Sequence, residues 1–231
     1  MKRIHYQNIG VPKTGTTRVW SVLKQLYVFK SSNIIAKENP LQEQRKLEQY
    51  IDIYSPYEIT MNFNTHTYRL PPDLIAKIHE YTTHLTISLR NPWEIINSWY
   101  NFCVIGTHIE EYGPNGKEIF TANILNDLMF NYPMIFQNWS SCKIPLQVMF
   151  YDDLCADPLK YYQTTCDYVG VTYSPPNSIM SLQDRIKRVN ITEYKENMLD
   201  GLSQDIVVEI NDRIIETAKL TGRDLSHWIR K

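Results

Sequence analysis

The sequence predicts an α/β fold, a single domain over residues 1–231 with a mostly parallel central sheet flanked by helices, and three observations lead there. Short β-rich runs alternate with helical periodicity, Gly and Pro stand at the junctions, and no repeat, low-complexity tract or Gly/Ser-rich linker marks an internal boundary. With 43% hydrophobic and 21% charged residues, the 231-residue chain has the composition of a globular protein with a sizeable core.

The elements follow in order. Ile4 to Ile9 reads as a strand, Gly10 to Thr17 as a Gly/Thr loop, and Thr16 to Phe29 as a helix with Val19, Leu23, Leu26 and Tyr27 on one face. Leu85 to Leu89 is a second β-rich run. Asn91 and Pro92 after it suit a helix N-cap and first helical position, Glu94 has capping-box spacing, and Ile95, Trp99 and Phe102 recur at helical intervals. Leu146 to Tyr151 reads as a third strand. Asp157-Pro158 then opens a helix through Tyr168 that ends at Gly170, and a last helix spans Asp205 to Leu220. Strand-helix alternation of this kind places ligands outside the carboxyl ends of the strands. The polar stretches Lys30–Tyr57 and Thr107–Lys117 are expected to be loops or helices laid over that crevice.

Charge excludes several function classes. Twenty-four basic against twenty-five acidic residues give a formal charge of -1, so bulk electrostatics recruits neither nucleic acid nor an anionic membrane, and an anion must be held locally. No apolar run approaches the ~20 residues of a membrane helix, and Met1 to Asn8 lacks the apolar centre of a secretory signal. A cytoplasmic protein is expected. Cys103, Cys142, Cys155 and Cys166 form no CxxC pair and no zinc spacing with histidine, which predicts free thiols and no metal. The sequons at Asn138 and Asn190 carry no weight without an export signal.

The loop Gly10-Val11-Pro12-Lys13-Thr14-Gly15-Thr16-Thr17 has the Gly-x4-Gly frame of a nucleotide phosphate loop, making the fold P-loop NTPase-like. It departs from the triphosphatase pattern. Thr16 stands where those proteins carry lysine, and Lys13 brings the cation inside the loop, a placement better suited to a 5′-phosphate and its leaving oxygen than to a β/γ-phosphate pair with magnesium.

The run Pro12-Lys13-Thr14-Gly15-Thr16-Thr17 resembles the 5′-phosphosulfate loop of sulfotransferases that use 3′-phosphoadenosine 5′-phosphosulfate (PAPS). Arg90-Asn91-Pro92 with Ser98 eight residues after the arginine is similar to that family's 3′-phosphate motif, and a guanidinium fork suits phosphate oxygens. Tyr151-Asp152-Asp153-Leu154 resembles the segment whose tyrosine lies near adenine, and Arg188, with Arg185 and Lys187, a late basic loop closing on the 3′-phosphate. The tail Thr221-Gly222-Arg223-Asp224-Leu225 and Trp228 is similar to that of bacterial and carbohydrate-type members. Arg18 stands where cytosolic members have an adenine-stacking tryptophan, a departure shared with the carbohydrate-type branch.

The resemblance implies metal-independent transfer of a sulfonate from PAPS to a hydroxyl or amine of a small molecule or carbohydrate, giving PAP. Lys13 is then the group that stabilises the departing phosphate oxygen, and the general base is His66 as in the cytosolic branch or Glu38 as in the carbohydrate branch. His66 is preferred because its ordinary pKa lies nearer working pH. The alternative within enzymes is an ATP-dependent P-loop kinase, told apart by the missing GK[ST] sequence and by metal independence, and a non-catalytic nucleotide-binding protein of the same fold is the reading from another class. Trp93, Trp99, Tyr100, Phe102 and Tyr112 fit either an aromatic acceptor pocket or a core-facing helix and a surface loop.

Overall fold

A computed structural model describes residues 4–16, 19, 59–64, 67–70, 72–107, 112–140, 143–170 and 196–231. Among the described residues the sheet has four strands, β1 (Ile4–Gly10), β2 (Ile59–Asn64), β3 (His84–Leu89) and β4 (Leu146–Phe150), in the order β2-β1-β3-β4 with every pair parallel. The predicted class, α/β with a parallel sheet flanked by helices, is what the chain forms. Helices on both faces of a parallel sheet bury its strands from two sides, and Leu85 to Leu89 of β3 are buried without interruption. β2 was not anticipated, although Ile59, Met61 and Phe63 alternate with Thr60, Asn62 and Asn64 at the strand period.

β1 is the pivot. Its partners on the two sides are β2 and β3, so the chain passes from one side of β1 to the other between consecutive strands, which is the topological switch point of an open α/β sheet. Gly10 pairs with Ser88, and the phosphate loop and the chain beyond β3 therefore leave from neighbouring strand ends.

The helices begin and end where side-chain chemistry allows. The segment after the loop turns helical at Thr16, with Val19 N–H donating to the Gly15 carbonyl at 2.9 Å. After α1 (Pro72–Tyr81) and β3, α2 (Pro92–Phe102) is capped by Asn91, whose side-chain oxygen accepts from Trp93 N–H at 3.1 Å, with Pro92 where its missing N–H costs nothing. Glu94, expected to complete a capping box, instead accepts from Arg90 Nε at 2.7 Å. α3 (Gly116–Asn123) begins inside the polar stretch Thr107–Lys117, expected to hold loops or helices, and follows a π turn at Cys103–Thr107. Two further helices, α4 (Tyr132–Trp139) and α5 (Tyr151–Ala156), come before and after β4 in the chain. Tyr151 is thus the first residue of a helix and not the last of the strand. α6 (Pro158–Val169) has the anticipated cap, Asp157 accepting from Lys160 N–H at 3.0 Å, and stops at Gly170, where φ of 74° favours a residue without Cβ. α7 (Gln204–Thr221) starts after Ser203 and ends at Gly222.

The described residues gather into two compact units, one within 1–89 and 138–190 and the other within 90–137 and 191–231. The first contains the sheet. Between β1, β3 and α6 it buries a polar cluster: the hydroxyls of Tyr6 and Thr86 lie 2.6 Å apart, and the Asn8 amide donates to Thr86 Oγ1 at 3.1 Å and Ser88 Oγ at 3.0 Å. Tyr161 of α6 is buried on the helical side of the same unit. In the second unit, the Arg213 guanidinium of α7 donates to the carbonyls of Leu125 at 3.0 Å and Phe130 at 3.4 Å, tying α7 to the segment before α4. Trp93 and Tyr100 of α2 are buried in this unit, so the core-facing alternative holds for both. Among the described residues no helix is long and apolar enough to cross a membrane.

Burial in the first unit sets a pH dependence. Burial raises the Tyr6 phenol from 10.0 to about 12, and burial followed by the nearby Asp167 raises the Cys166 thiol from 9.0 to about 12. Both groups ionise earlier in the unfolded chain, which binds fewer protons above about pH 9, so stability falls as pH rises through that window. Melting temperature is expected to drop between about pH 8 and about pH 10.5, and less steeply in Cys166→Ala.

Candidate functional site

The loop leaves β1 through Val11 and Pro12. Lys13 then adopts φ of 67° and Gly15 φ of 81°, with Thr14 between them. Alternation of left-handed with ordinary residues is how a backbone nest presents successive N–H groups to an anion, and the helix starting at Thr16 adds its positive end. Lys13 is the only described non-glycine residue with positive φ, a conformation unfavourable for an L side chain by ~1–2 kcal/mol. Such strain concentrates where a chain is held for function.

Thr14 is fully turned inward. Its hydroxyl donates to the Val11 carbonyl at 2.7 Å and its N–H to the same oxygen at 3.3 Å, so Thr14 braces the loop from within. Beneath the loop, the Asn8 bridge to Thr86 and Ser88 ties β1 to β3 two residues before β1 ends. Sequence reading overlooked this support. Its signal was present in β3, where Thr86 and Ser88 alternate with Leu85, Ile87 and Leu89, since buried polar groups are normally hydrogen-bonded.

Tyr151, at the first position of α5, covers Gly15. A Cβ on Gly15 would meet ring carbons Cδ2 and Cε2 of Tyr151 at 2.8 Å and Leu154 Cδ2 at 3.4 Å. Gly15→Ala is therefore expected to lower the melting temperature and weaken anion binding together, since the positive φ alone costs ~1–2 kcal/mol before the clash. Adding Tyr151→Ala should recover part of the melting temperature by removing the ring, and calorimetry on the two variants checks this.

In the second unit, Arg90 is the residue immediately after β3, with its side chain 15% exposed. Its Nε donates to Glu94, and the Tyr132 hydroxyl donates to its carbonyl at 2.7 Å while accepting its N–H at 3.3 Å. Ser98 follows Glu94 by one helical turn of α2 and is 3% exposed. The same helix holds the chain at 196–198: Asn101 Nδ2 donates to the Glu196 carbonyl at 2.8 Å, and Asn97 Oδ1 accepts Met198 N–H at 2.9 Å.

Of the residues singled out by sequence, Lys13, Thr14, Gly15 and Thr16 share the first unit with Tyr151, and Arg90 and Ser98 share the second. Thr17, Arg18, Glu38, His66, Arg185, Lys187 and Arg188 lie outside the described residues.

The sequence profile of the sulfotransferase domain matches residues 8–214, from the strand before the loop into α7. The chain belongs to the sulfotransferase domain family. Solved structures agree on the fold of this sulfotransferase domain. A sulfotransferase from Alicyclobacillus acidocaldarius superposes with a TM-score of 0.68 at 14% identity, covering 100% of each chain. A mouse sulfotransferase complexed with PAP superposes with a TM-score of 0.62 at 12% identity, over 95% of this chain and 86% of the other. No curated protein matches the chain by sequence. The family makes the protein a sulfotransferase in general terms, and the loop, Arg90 and Ser98 all fall within the matched span.

Proposed function

We propose that this sulfotransferase transfers the sulfonate of PAPS to a hydroxyl or amine of a small-molecule or carbohydrate acceptor, releasing PAP, and that residues 1–231 act as one catalytic domain. The observation that carries the reading is the loop at 10–16, where a cation-bearing residue is held in left-handed geometry between a strand end and a helix start. That geometry suits one anionic group with a leaving oxygen beside Lys13. The PAP complex of the mouse structure supports the choice of nucleotide.

On this reading the loop N–H groups, Thr16 and Thr17 hold the 5′-phosphosulfate, and Arg90 with Ser98 and Arg188 hold the 3′-phosphate. Tyr151 and Arg18 lie on the adenine side. The acceptor oxygen or nitrogen attacks sulfur as the bond from sulfur to the bridging oxygen breaks, and the electron pair stays on the phosphate of PAP. Lys13 stabilises that developing charge. The acceptor proton passes to His66 or Glu38. No metal takes part in these steps, and the reading places the protein in the cytoplasm without nucleic-acid or membrane partners.

The test combines nucleotide-induced thermal shift with transfer from labelled PAPS to a broad acceptor panel. Stabilisation by PAP and labelled product in metal-chelated buffer are the expected results. Stabilisation by ATP with magnesium but not by PAP overturns the reading, and PAP binding with no product from any acceptor reduces it to nucleotide binding. For the base, activity that survives His66→Ala but not Glu38→Ala assigns the proton to Glu38.

A further inference from the structure

Arg90 is gripped from two directions by residues that the nucleotide reading does not use. At the backbone, the Tyr132 hydroxyl both donates to the Arg90 carbonyl, at 2.7 Å, and accepts from its N–H, at 3.3 Å. The location gives this contact its meaning. The β3–β4 ladder ends with Leu89 paired to Phe150, and the β1–β3 ladder with Gly10 paired to Ser88. Arg90 is the first residue past both, and a single phenol from the start of α4 takes over where sheet pairing stops. Tyr132 is 2% exposed, so its hydroxyl sits where an unmet polar group would be costly.

At the side chain, Arg90 Nε donates to Glu94 Oε2 at 2.7 Å. The Arg90 side chain is 15% exposed and that of Glu94 49%. An ion pair that open adds little to stability. Its geometric effect is larger: a planar guanidinium bonded through Nε to a carboxylate one helical turn away is limited in the directions its two terminal nitrogens face. Ser98 stands on the same helical row, four residues after Glu94. Backbone and guanidinium plane are thus both fixed before any ligand arrives, which lowers the ordering cost of binding.

We propose that Tyr132 and Glu94 are positioning residues that fix Arg90 for the 3′-phosphate of the nucleotide; the inference rests on the nucleotide reading above and deepens it. Neither residue touches the phosphate on this account. Both act through Arg90, and their effects should appear only with ligands that carry a 3′-phosphate.

The experiment titrates PAP and adenosine 5′-monophosphate, which lacks the 3′-phosphate, into the parent, Tyr132→Phe, Glu94→Gln and Glu94→Ala proteins, and repeats Tyr132→Phe in an Arg90→Ala background. Tyr132→Phe is expected to weaken PAP by about three- to tenfold and to change the monophosphate by less than about twofold. In the Arg90→Ala background it should add nothing. Glu94→Gln, which keeps an acceptor for Nε and removes a carboxylate charge, should bind PAP at least as tightly as the parent, and Glu94→Ala about threefold more weakly than Glu94→Gln. Equal losses for both nucleotides, or an undiminished Tyr132→Phe effect without Arg90, overturn the role of Tyr132. Identical affinities for the two Glu94 variants overturn that of Glu94. Should Tyr132→Phe fail to fold, the exposed Glu94 pair decides the proposal. A parent that does not bind PAP removes the nucleotide reading and the proposal with it, whereas a binding parent with indifferent variants removes the proposal alone.

Discussion

Lys13→Ala is expected to lower sulfonate transfer by about 10²–10³-fold, the usual consequence of removing one group that stabilises charge at a departing oxygen. The loop geometry allows a sharper comparison. Lys13 has φ of 67°, and alanine at the same position keeps the strain while losing the charge. Glycine loses the charge and relieves the strain. Lys13→Gly should therefore be as inactive as Lys13→Ala and yet more stable by ~1 kcal/mol, since the left-handed penalty of ~1–2 kcal/mol is partly offset by the greater chain entropy of glycine. Single-turnover transfer from labelled PAPS and thermal melts on the same preparations separate the two effects. Activity within about tenfold of the parent in either variant would remove Lys13 from the chemistry.

Arg90→Ala is expected to weaken PAP about 100-fold, in line with ~2–3 kcal/mol for a charge-assisted contact to phosphate. Two causes act in the same direction. The guanidinium disappears, and Glu94, 2.7 Å from Nε in the parent, is left as a carboxylate without its counter-charge. Removing Glu94 as well should then recover part of the affinity. Adenosine 5′-monophosphate should change by less than about threefold, and the PAP loss should shrink as salt rises, as screening dictates. Isothermal titration at two salt concentrations measures all three. A loss shared equally by both nucleotides would place Arg90 elsewhere than at the 3′-phosphate.

The loop and the start of α2 were legible in sequence because each stands at a junction with local chemistry. Gly15 and Lys13 interrupt a strand-to-helix passage, and Asn91-Pro92 marks the start of α2 by capping rules that depend on neighbours alone. Asp157 and Gly170 bracket α6 for the same reason. What stayed hidden depends on residues distant in sequence. Asn8 finds Thr86 and Ser88 about eighty positions away, and Tyr132 finds Arg90 forty-two positions earlier. No local pattern distinguishes such a tyrosine from another core aromatic. Glu94 shows the opposite failure: its spacing satisfied a local motif, and the nearby Arg90 offered the carboxylate a charged donor. β2 escaped notice because its six residues mix Thr and Asn with Ile, Met and Phe and form only a short alternation.

The strand order also governs how the molecule can be assembled. β1 is made first and lies between two strands whose residues begin at Ile59 and His84, so the segment that carries the phosphate loop must wait for more than fifty residues before gaining either edge partner. Non-local parallel pairing of this kind folds slowly and leaves unpaired edges exposed in the interval. A chain halted before β3 carries the loop sequence without the β1–β3 pairing beneath it.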